Sequence, residues 1–211
     1  MTVTIDQIAI ADAPEAWEAL GFSVVDGELR LGAVRVRLAG GRGGRGILGW
    51  SLRGARTTKL DGLETELSER PPVEPGEHAN GVTRIDHVVA ISPDLDRTVA
   101  VLRAAGLDLR RIREEPTPAG APRQAFFRLG AEILEVIQEP DPDDPARPAR
   151  LWGLALVADD LEAAAGHLGE RAGSLRDAVQ DGRRILPLRR SAGLGVPVAL
   201  MSPAGERERT P

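Results

Sequence analysis

Two ionisable side chains stand in otherwise apolar strand-like segments. His87 lies in RIDHVVAI, where alternation puts Ile85, His87 and Val89 on one face. An imidazole so placed serves as a metal ligand or an acid and base, or as a hydrogen-bonded residue of a polar pocket; the segment leaves both readings open. Glu135 lies in ILEVI. A carboxylate there must be paired, metal-bound or raised in pKa, because burying a bare charge is costly, unless that strand face is open to water. Gln124, Phe126 and Arg128 share a face of RQAFFRLG, opposite Phe127. One set lines a pocket, where Arg128 would meet an anion, or is core. Trp50 and Trp152 are stacking walls or packing. VQDGRRILPLRR brings Arg183, Arg184, Arg189 and Arg190 around an Asp181-Gly182 turn. That cluster binds a carboxylate or phosphate, or is a solvated edge that blocks strand pairing. His78 and His167 lack ligand spacing.

Composition narrows the chemistry. The chain has 211 residues, 42% hydrophobic and 28% charged, which is globular. Its net charge of -5 (Lys+Arg 27, Asp+Glu 32) gives no electrostatic case for nucleic acid or an anionic membrane. With no cysteine there are no disulfides, thiolate metal sites or cysteine nucleophiles, and no tyrosine is available as a general acid. MTVTIDQIAIADAP does not read as a signal peptide, and no stretch approaches the roughly 18 apolar residues of a membrane helix, so neither is expected. A cytoplasmic location is the default expectation. The glycine-rich AGGRGGRG (39–46) lacks the GxxxxGK[ST] spacing and reads as a hairpin loop, not a phosphate cradle.

The elements that would position these residues repeat. An α+β class with βαβββ units forming curved mixed sheets is expected, with three units. The first spans 1–54: TIDQIAIA as a strand, a short helix capped by Asp12 with Pro14 in its first turn, an Asp26-Gly27 hairpin, AVRVRL, and GILGWSLR as fourth strand. The second spans 82–139: RIDHVVAI, a helix DLDRTVAVLRAAG begun by Ser92 and Pro93, then LDLRRIRE, RQAFFRLG and EILEVIQE. The third spans 151–203: LWGLALVA, a helix capped by Asp159 or Asp160, and three strands ending in VPVALMS. IDQIAI against IDHVVAI is the clearest internal match. Residues 55–81 form a polar linker or arm, 140–150 a stiff Pro-rich spacer, and 204–211 a disordered tail. One unit cannot bury both faces of its sheet; two side by side enclose a concave ligand cavity. The odd unit packs outside or pairs with a second copy as a homodimer.

IDHVVAISPDLDRTVAVLRAAGL followed by QAFFRLGAEILEVI resembles the vicinal oxygen chelate superfamily, which includes glyoxalase I, extradiol dioxygenases, methylmalonyl-CoA epimerase and bleomycin-resistance proteins. The resemblance is strongest over 82–139. It implies divalent-metal ligands on the first and fourth strands of paired units, here His87 and Glu135, with Gln7 at the first-strand position of the first unit. The first unit's fourth-strand position falls near Trp50 or Ser51, and the third unit's positions at Gly153 and near Ala199, none of them a carboxylate. Pairing of units two and three leaves His87 and Glu135 alone; pairing of one and two adds Gln7. The short spacer favours the first arrangement and the ligand count the second. The metal implied is Mn, Ni, Zn, Co or Fe(II).

Two functions follow from the resemblance. One is a glyoxalase-like metalloenzyme, a lyase, isomerase or dioxygenase acting on a small oxygenated metabolite, with Glu135 and His87 as ligands and Glu135 also a base. The other is a metal-free small-molecule binder of the bleomycin-resistance type. Gln124, Phe126, Arg128, Trp152 and Arg183 are the expected pocket residues. The expected partner is a small-molecule ligand.

Overall fold

Turn chemistry and alternation build the N-terminal part. The computed structural model describes residues 2–41, 44–116, 120 and 122–204. Strand β1 (Thr4–Ile10) buries Ile5, Ile8 and Ile10 and leads to the short helix α1 (Pro14–Glu18). Pro14 starts that helix as expected, but Asp12 does not cap it: its carboxylate accepts from Trp17 Nε1 and from the Gly195 backbone, tying α1 to the far end of the chain. Asp26 and Gly27 take the left-handed conformation the turn needs, yet the strand before them shrinks to a single Val25–Glu28 bridge. The hairpin β2 (Glu28–Leu31) and β3 (Val34–Leu38) follows, then β4 (Ile47–Arg53) and β5 (Thr65–Leu67). They form a five-stranded sheet in the order β2-β3-β1-β4-β5.

The rest of the chain forms one larger sheet. β6 (Val82–Ser92), α2 (Leu95–Ala104), β7 (Asp108–Arg113), β8 (Gln124–Leu129) and β9 (Glu132–Gln138) are followed by β10 (Arg150–Ala158), α3 (Leu161–Leu168), β11 (Arg176–Asp177), β12 (Arg184–Pro187) and β13 (Val198–Met201). The order is β11-β12-β13-β10-β6-β9-β8-β7. Each half runs first strand, fourth, third, second, with the first and fourth parallel (β6 with β9, β10 with β13). The halves join where β6 meets β10 antiparallel. Asp94 and Asp160 cap α2 and α3 through side chains that accept from backbone N–H groups, which meets the expectation for Asp160 and moves the α2 cap from Ser92 to Asp94. The second and third repeats therefore share the bowl, as the short spacer suggested.

The first repeat differs from its expected form. β1 pairs in parallel with β3, so β3 takes the fourth-strand place, and β4 lies antiparallel on the other side of β1. β4 thus stands to β1 as β10 stands to β6, and β5 to β4 as β13 to β10. The correspondence extends to residues. A Cβ on Gly49 would lie 2.9 Å from the Glu64 carbonyl oxygen, and one on Gly153 would lie 2.9 Å from that of Pro197. Trp50 and Leu154 donate their backbone N–H to those same carbonyls, each at 3.0 Å. The N-terminal sheet is a smaller version of the two-part bowl, with its second part reduced to two strands.

The two sheets share one apolar core running from Val3 to Leu200. The N-terminal sheet docks outside the bowl, through Gly32 N–H to the Thr83 carbonyl, Arg171 to the Ala19 carbonyl, and Asp12 to Gly195. Arg97 of α2 ties the spacer down by donating to Asp61 and to the carbonyls of Pro145 and Arg147. Among the described residues no helix is long and apolar enough to cross a membrane. The tail beyond 204 and positions 42–43 of the glycine-rich loop lie outside the described residues.

Candidate functional site

Strand alternation places Asp86 and His87 on opposite faces of β6, but a bulge changes this. The pairing of β6 with β10 slips between Ile85 and His87, leaving Asp86 as the extra residue. The kink turns both side chains to the concave side. His87 Nδ1 and Asp86 Oδ2 are 2.9 Å apart, and Asp86 Oδ1 accepts from Arg183 Nη2 at 2.7 Å. With Nδ1–H donated to Asp86, Nε2 is the nitrogen left for chemistry. It faces Glu135 Oε2 at 3.3 Å. Glu135 Oε1 in turn accepts from Gln124 Nε2.

These contacts tune the two carboxyls in opposite directions. Burial works against the Asp86 charge, yet hydrogen bonds from His87 and Arg183 and their positive charge hold its carboxyl well below the usual range. Asp86 is a fixed anion and an orienting group. Burial pushes the Glu135 carboxyl up, and the nearby Asp86 charge adds to this; His87 and Gln124 only partly offset it. Burial thus favours the neutral form of Glu135 more than in an exposed carboxyl, and a carboxyl shifted this way beside an imidazole is suited to proton transfer.

A cavity of about 630 Å³ opens over this network. Its floor is Asp86, His87, Glu135, Gln124 and Ile133. Phe126, Arg111 and Arg113 line the β7–β8 side, and Ile185 and Met201 the far side. The segment Ala178–Asp181 leans over it, anchored where Arg183 bonds Asp86, Gln180 and the Ser202 carbonyl. A second cleft of about 690 Å³ lies near Leu168, Arg171 and Arg189. Glu170, Arg171 and Arg189 give it charge but no coupled acid–base pair, so the chemistry is placed at His87.

The structure gathers His87, Glu135, Gln124 and Phe126 into this cavity. Arg183 is present, but 4% exposed, and its guanidinium is committed to Asp86 and Ser202. It supports the site from behind, not as a ligand contact. Arg128 shares the strand face with Phe126 but is exposed beyond the cavity, near the Gly130 carbonyl. Trp152 is bulged out of β10 and 39% exposed, away from the cavity. Trp50 is buried in the N-terminal sheet and donates to Thr65. Arg184 pairs with Glu162 on the surface.

Gln7 does not join His87. It lies in the other sheet, where its Oε1 accepts from Arg70. The neighbouring Asp6 sits in the same kind of bulge as Asp86 and is fully buried among Arg35, Arg53 and Arg70. The β3 residue in register with Glu135 is Arg37, opposite Ala9 as Glu135 is opposite Val89. The three-ligand face that needed Gln7 is therefore not assembled. Sequence reading also missed Asp86, Arg111 and Arg113. The Ile-Asp pair common to IDQIAI and IDHVVAI was the signal for Asp86; for the arginines there was only their i, i+2 spacing.

The divalent metal that the family resemblance implies can be tested against these donors. His87 Nε2, Glu135 and the amide oxygen of Gln124 are the metal-capable groups at the floor, and the first two face each other. Asp86 is committed to His87 and Arg183. The concave side of β10 and β13 offers Gly153, Ala155, Ala199 and Met201, none a hard donor. Among the described residues no group of three or more His, Cys, Asp or Glu side chains is arranged to hold a metal ion. His87 and Glu135 are one short of the three His or carboxylate ligands of a catalytic zinc site, so a dedicated zinc site of that kind is not assembled from the described residues.

The fold has counterparts among known proteins. Residues 84–183 match the family described as Glyoxalase/Bleomycin resistance protein/Dioxygenase superfamily. Among solved structures, methylmalonyl-CoA epimerase from Mycobacterium tuberculosis superposes with a TM-score of 0.51 at 20% identity, over 64% of this chain and 97% of that one. Streptomyces coelicolor methylmalonyl-CoA epimerase in complex with 2-nitronate-propionyl-CoA gives 0.47 at 27% identity, over 59% and 99%. A hypothetical protein from Bacillus halodurans gives 0.48 at 14%, over 58% and 96%. No curated protein matches the chain in sequence.

Proposed function

We propose that the eight-stranded bowl, a glyoxalase-superfamily fold, binds a small oxygenated metabolite and moves a proton on it with the His87–Glu135 pair, as an isomerase or lyase would. The observation that carries this reading is the continuous chain Arg183–Asp86–His87–Glu135–Gln124 at the floor of a cavity.

Each member has a role that its surroundings define. Asp86 holds the His87 ring and fixes which nitrogen faces the ligand. Glu135, raised by burial, takes a proton from a carbon beside a carbonyl and returns it. Gln124 steadies the second carboxyl oxygen. His87 Nε2, beside the first, takes that proton from Glu135 and passes it to the ligand oxygen where negative charge gathers, or hands it back. The chemistry rests on these residues and needs no resident metal.

The test uses deuterium wash-in. A panel of small 2-oxo acids and related carbonyl compounds, incubated with the protein in D2O and chelator, should exchange the carbon-bound proton faster than in buffer. Glu135→Gln and His87→Gln should each abolish the acceleration. Absence of acceleration across the panel, or its dependence on added metal, overturns the reading. A second reading, a metal-free binding protein, is favoured by the blank positions Gly153, Ala155 and Ala199. It predicts chelator-resistant binding that survives His87→Ala with Glu135→Ala, and no exchange.

A further inference from the structure

We propose that Arg111 and Arg113 seat a carboxylate, so that the ligand of this cavity is a small organic anion with its oxygen-bearing carbon held over His87 and Glu135. The proposal rests on the reading of the cavity as a ligand site and names the class of ligand.

Strand register carries the geometry. Arg111 of β7 is opposite Phe126 of β8, and Phe126 is opposite Glu135 of β9. Directly paired residues point to the same face, so all three line the concave side in one row. Arg113 is likewise opposite Gln124, the donor to Glu135. The arginine row and the Glu135 row are two strand spacings apart, about 10 Å. An arginine stem reaches across much of that gap, leaving room for a carboxylate and a short body.

Among the described residues, the charges of these two side chains are poorly matched. Among the described residues Arg111 makes no ion pair; its guanidinium lies 5.3 Å from the centre of the Phe126 ring. The carboxylate nearest Arg113 is that of Glu115, 3.9 Å away on a side chain 84% exposed. Neighbouring arginines are treated differently. Arg110 pairs with Asp108 outside the bowl, and Arg123 is held by both Glu114 and Asp96. Charged residues on an edge strand often serve only to discourage pairing with another chain. Solvated arginines pointing out would do that. It does not account for two weakly paired guanidiniums directed into the cavity.

The opposing carboxylates do not cancel this field at the β7 side. Asp86 pairs with Arg183 at 2.7 Å, and Glu135 faces His87 and Gln124, two strands away from the arginines. Asp181 lies on the segment over the far side. The wall opposite the arginines is apolar, with Val179, Ile185 and Met201, and the Phe126 ring lies between. That layout suits a carboxylate head at the arginines and an apolar or aromatic body, with the reactive carbon between them.

The probe is phenylpyruvate, which combines a carboxylate, an adjacent carbonyl, an exchangeable carbon proton and an aromatic body. Its methyl ester and inorganic phosphate are the controls. Binding to the full chain is measured by calorimetry at low and high salt. The acid should bind at least about tenfold tighter than the ester, with affinity falling as salt rises. Arg111→Gln with Arg113→Gln should erase that preference, and Glu135→Gln should keep it. Equal binding of acid and ester, salt-independent affinity, or no binding of the acid at millimolar concentration overturns the proposal. Binding of phosphate as tight as that of the acid overturns the carboxylate assignment. The salt titration needs no variant, so a failure of the double variant to fold leaves the test intact. Acid preference without proton exchange would sink the proton-transfer reading alone. Exchange dependent on Glu135 without acid preference would sink the anion seat alone.

Discussion

Replacing Arg183 with methionine should cost about 3 kcal/mol and uncouple the floor of the cavity. Methionine keeps most of the packing but removes the donor to Asp86 Oδ1 at 2.7 Å and two bonds to the Ser202 carbonyl at 2.8 and 3.1 Å. The pair is secluded, with side chains 4% and 11% exposed. Breaking one partner of a buried pair costs about 3–5 kcal/mol because the other charge stays inside. Asp86 retains His87 and slight access to water, which puts the loss at the low end. Asp86→Asn should cost less, about 2 kcal/mol, since Arg183 keeps Ser202 and Gln180 as acceptors. The double variant should lose less than the sum, because no orphaned charge remains. Urea unfolding measures all three. The pH dependence gives a second handle. The Asp86 carboxyl is depressed in the fold, so the stability it supplies is complete above the ordinary carboxyl value of about 3.9 and is lost as pH falls below it. The gap between the native chain and Arg183→Met should therefore close in acid. A gap under about 0.5 kcal/mol at neutral pH, additive losses, or a gap that persists in strong acid would refute the buried-pair argument.

Three further outcomes test other parts of the chain. Burial raises the Glu132 carboxyl to about 6, so its charge destabilises the fold above that pH; Glu132→Gln should gain about 2 kcal/mol in mild alkali and nothing near the usual carboxyl range, read as a shift in urea midpoint. His78 Nδ1 accepts from the Ser23 N–H at 3.1 Å and burial lowers its pKa, so stability is full above about 6.5 and falls as pH drops through that value; His78→Gln should flatten this limb, and an unchanged limb would show that the ring does not titrate there. Gly153→Ala and Gly49→Ala each push a methyl against a backbone carbonyl and should each cost about 1–3 kcal/mol in thermal unfolding; a loss at only one site would break the claimed equivalence of β10 and β4.

The sequence determined the local parts. Alternation in RIDHVVAI and ILEVI, with a capped helix between them, was enough to place β6, α2 and β9 and to set His87 and Glu135 as candidates. Those signals are carried by neighbours in the chain, so no partner was needed to read them. Other features depended on partners. Whether GILGWSLR lies beside β1 as a fourth strand or as the first strand of a reduced second half is a matter of pairing and direction, and a short apolar strand reads the same in both. Asp86 alternates away from His87 until the bulge against β10 turns it inward, and a bulge belongs to two strands at once. Gln7 matched His87 in the repeat, but only packing showed that its sheet docks outside the bowl. The cavity that joins Arg111, Phe126 and Glu135 likewise exists only once β7, β8 and β9 are in register. Residue type and periodicity determined which groups were available for chemistry. Strand register and sheet docking decided which of them meet.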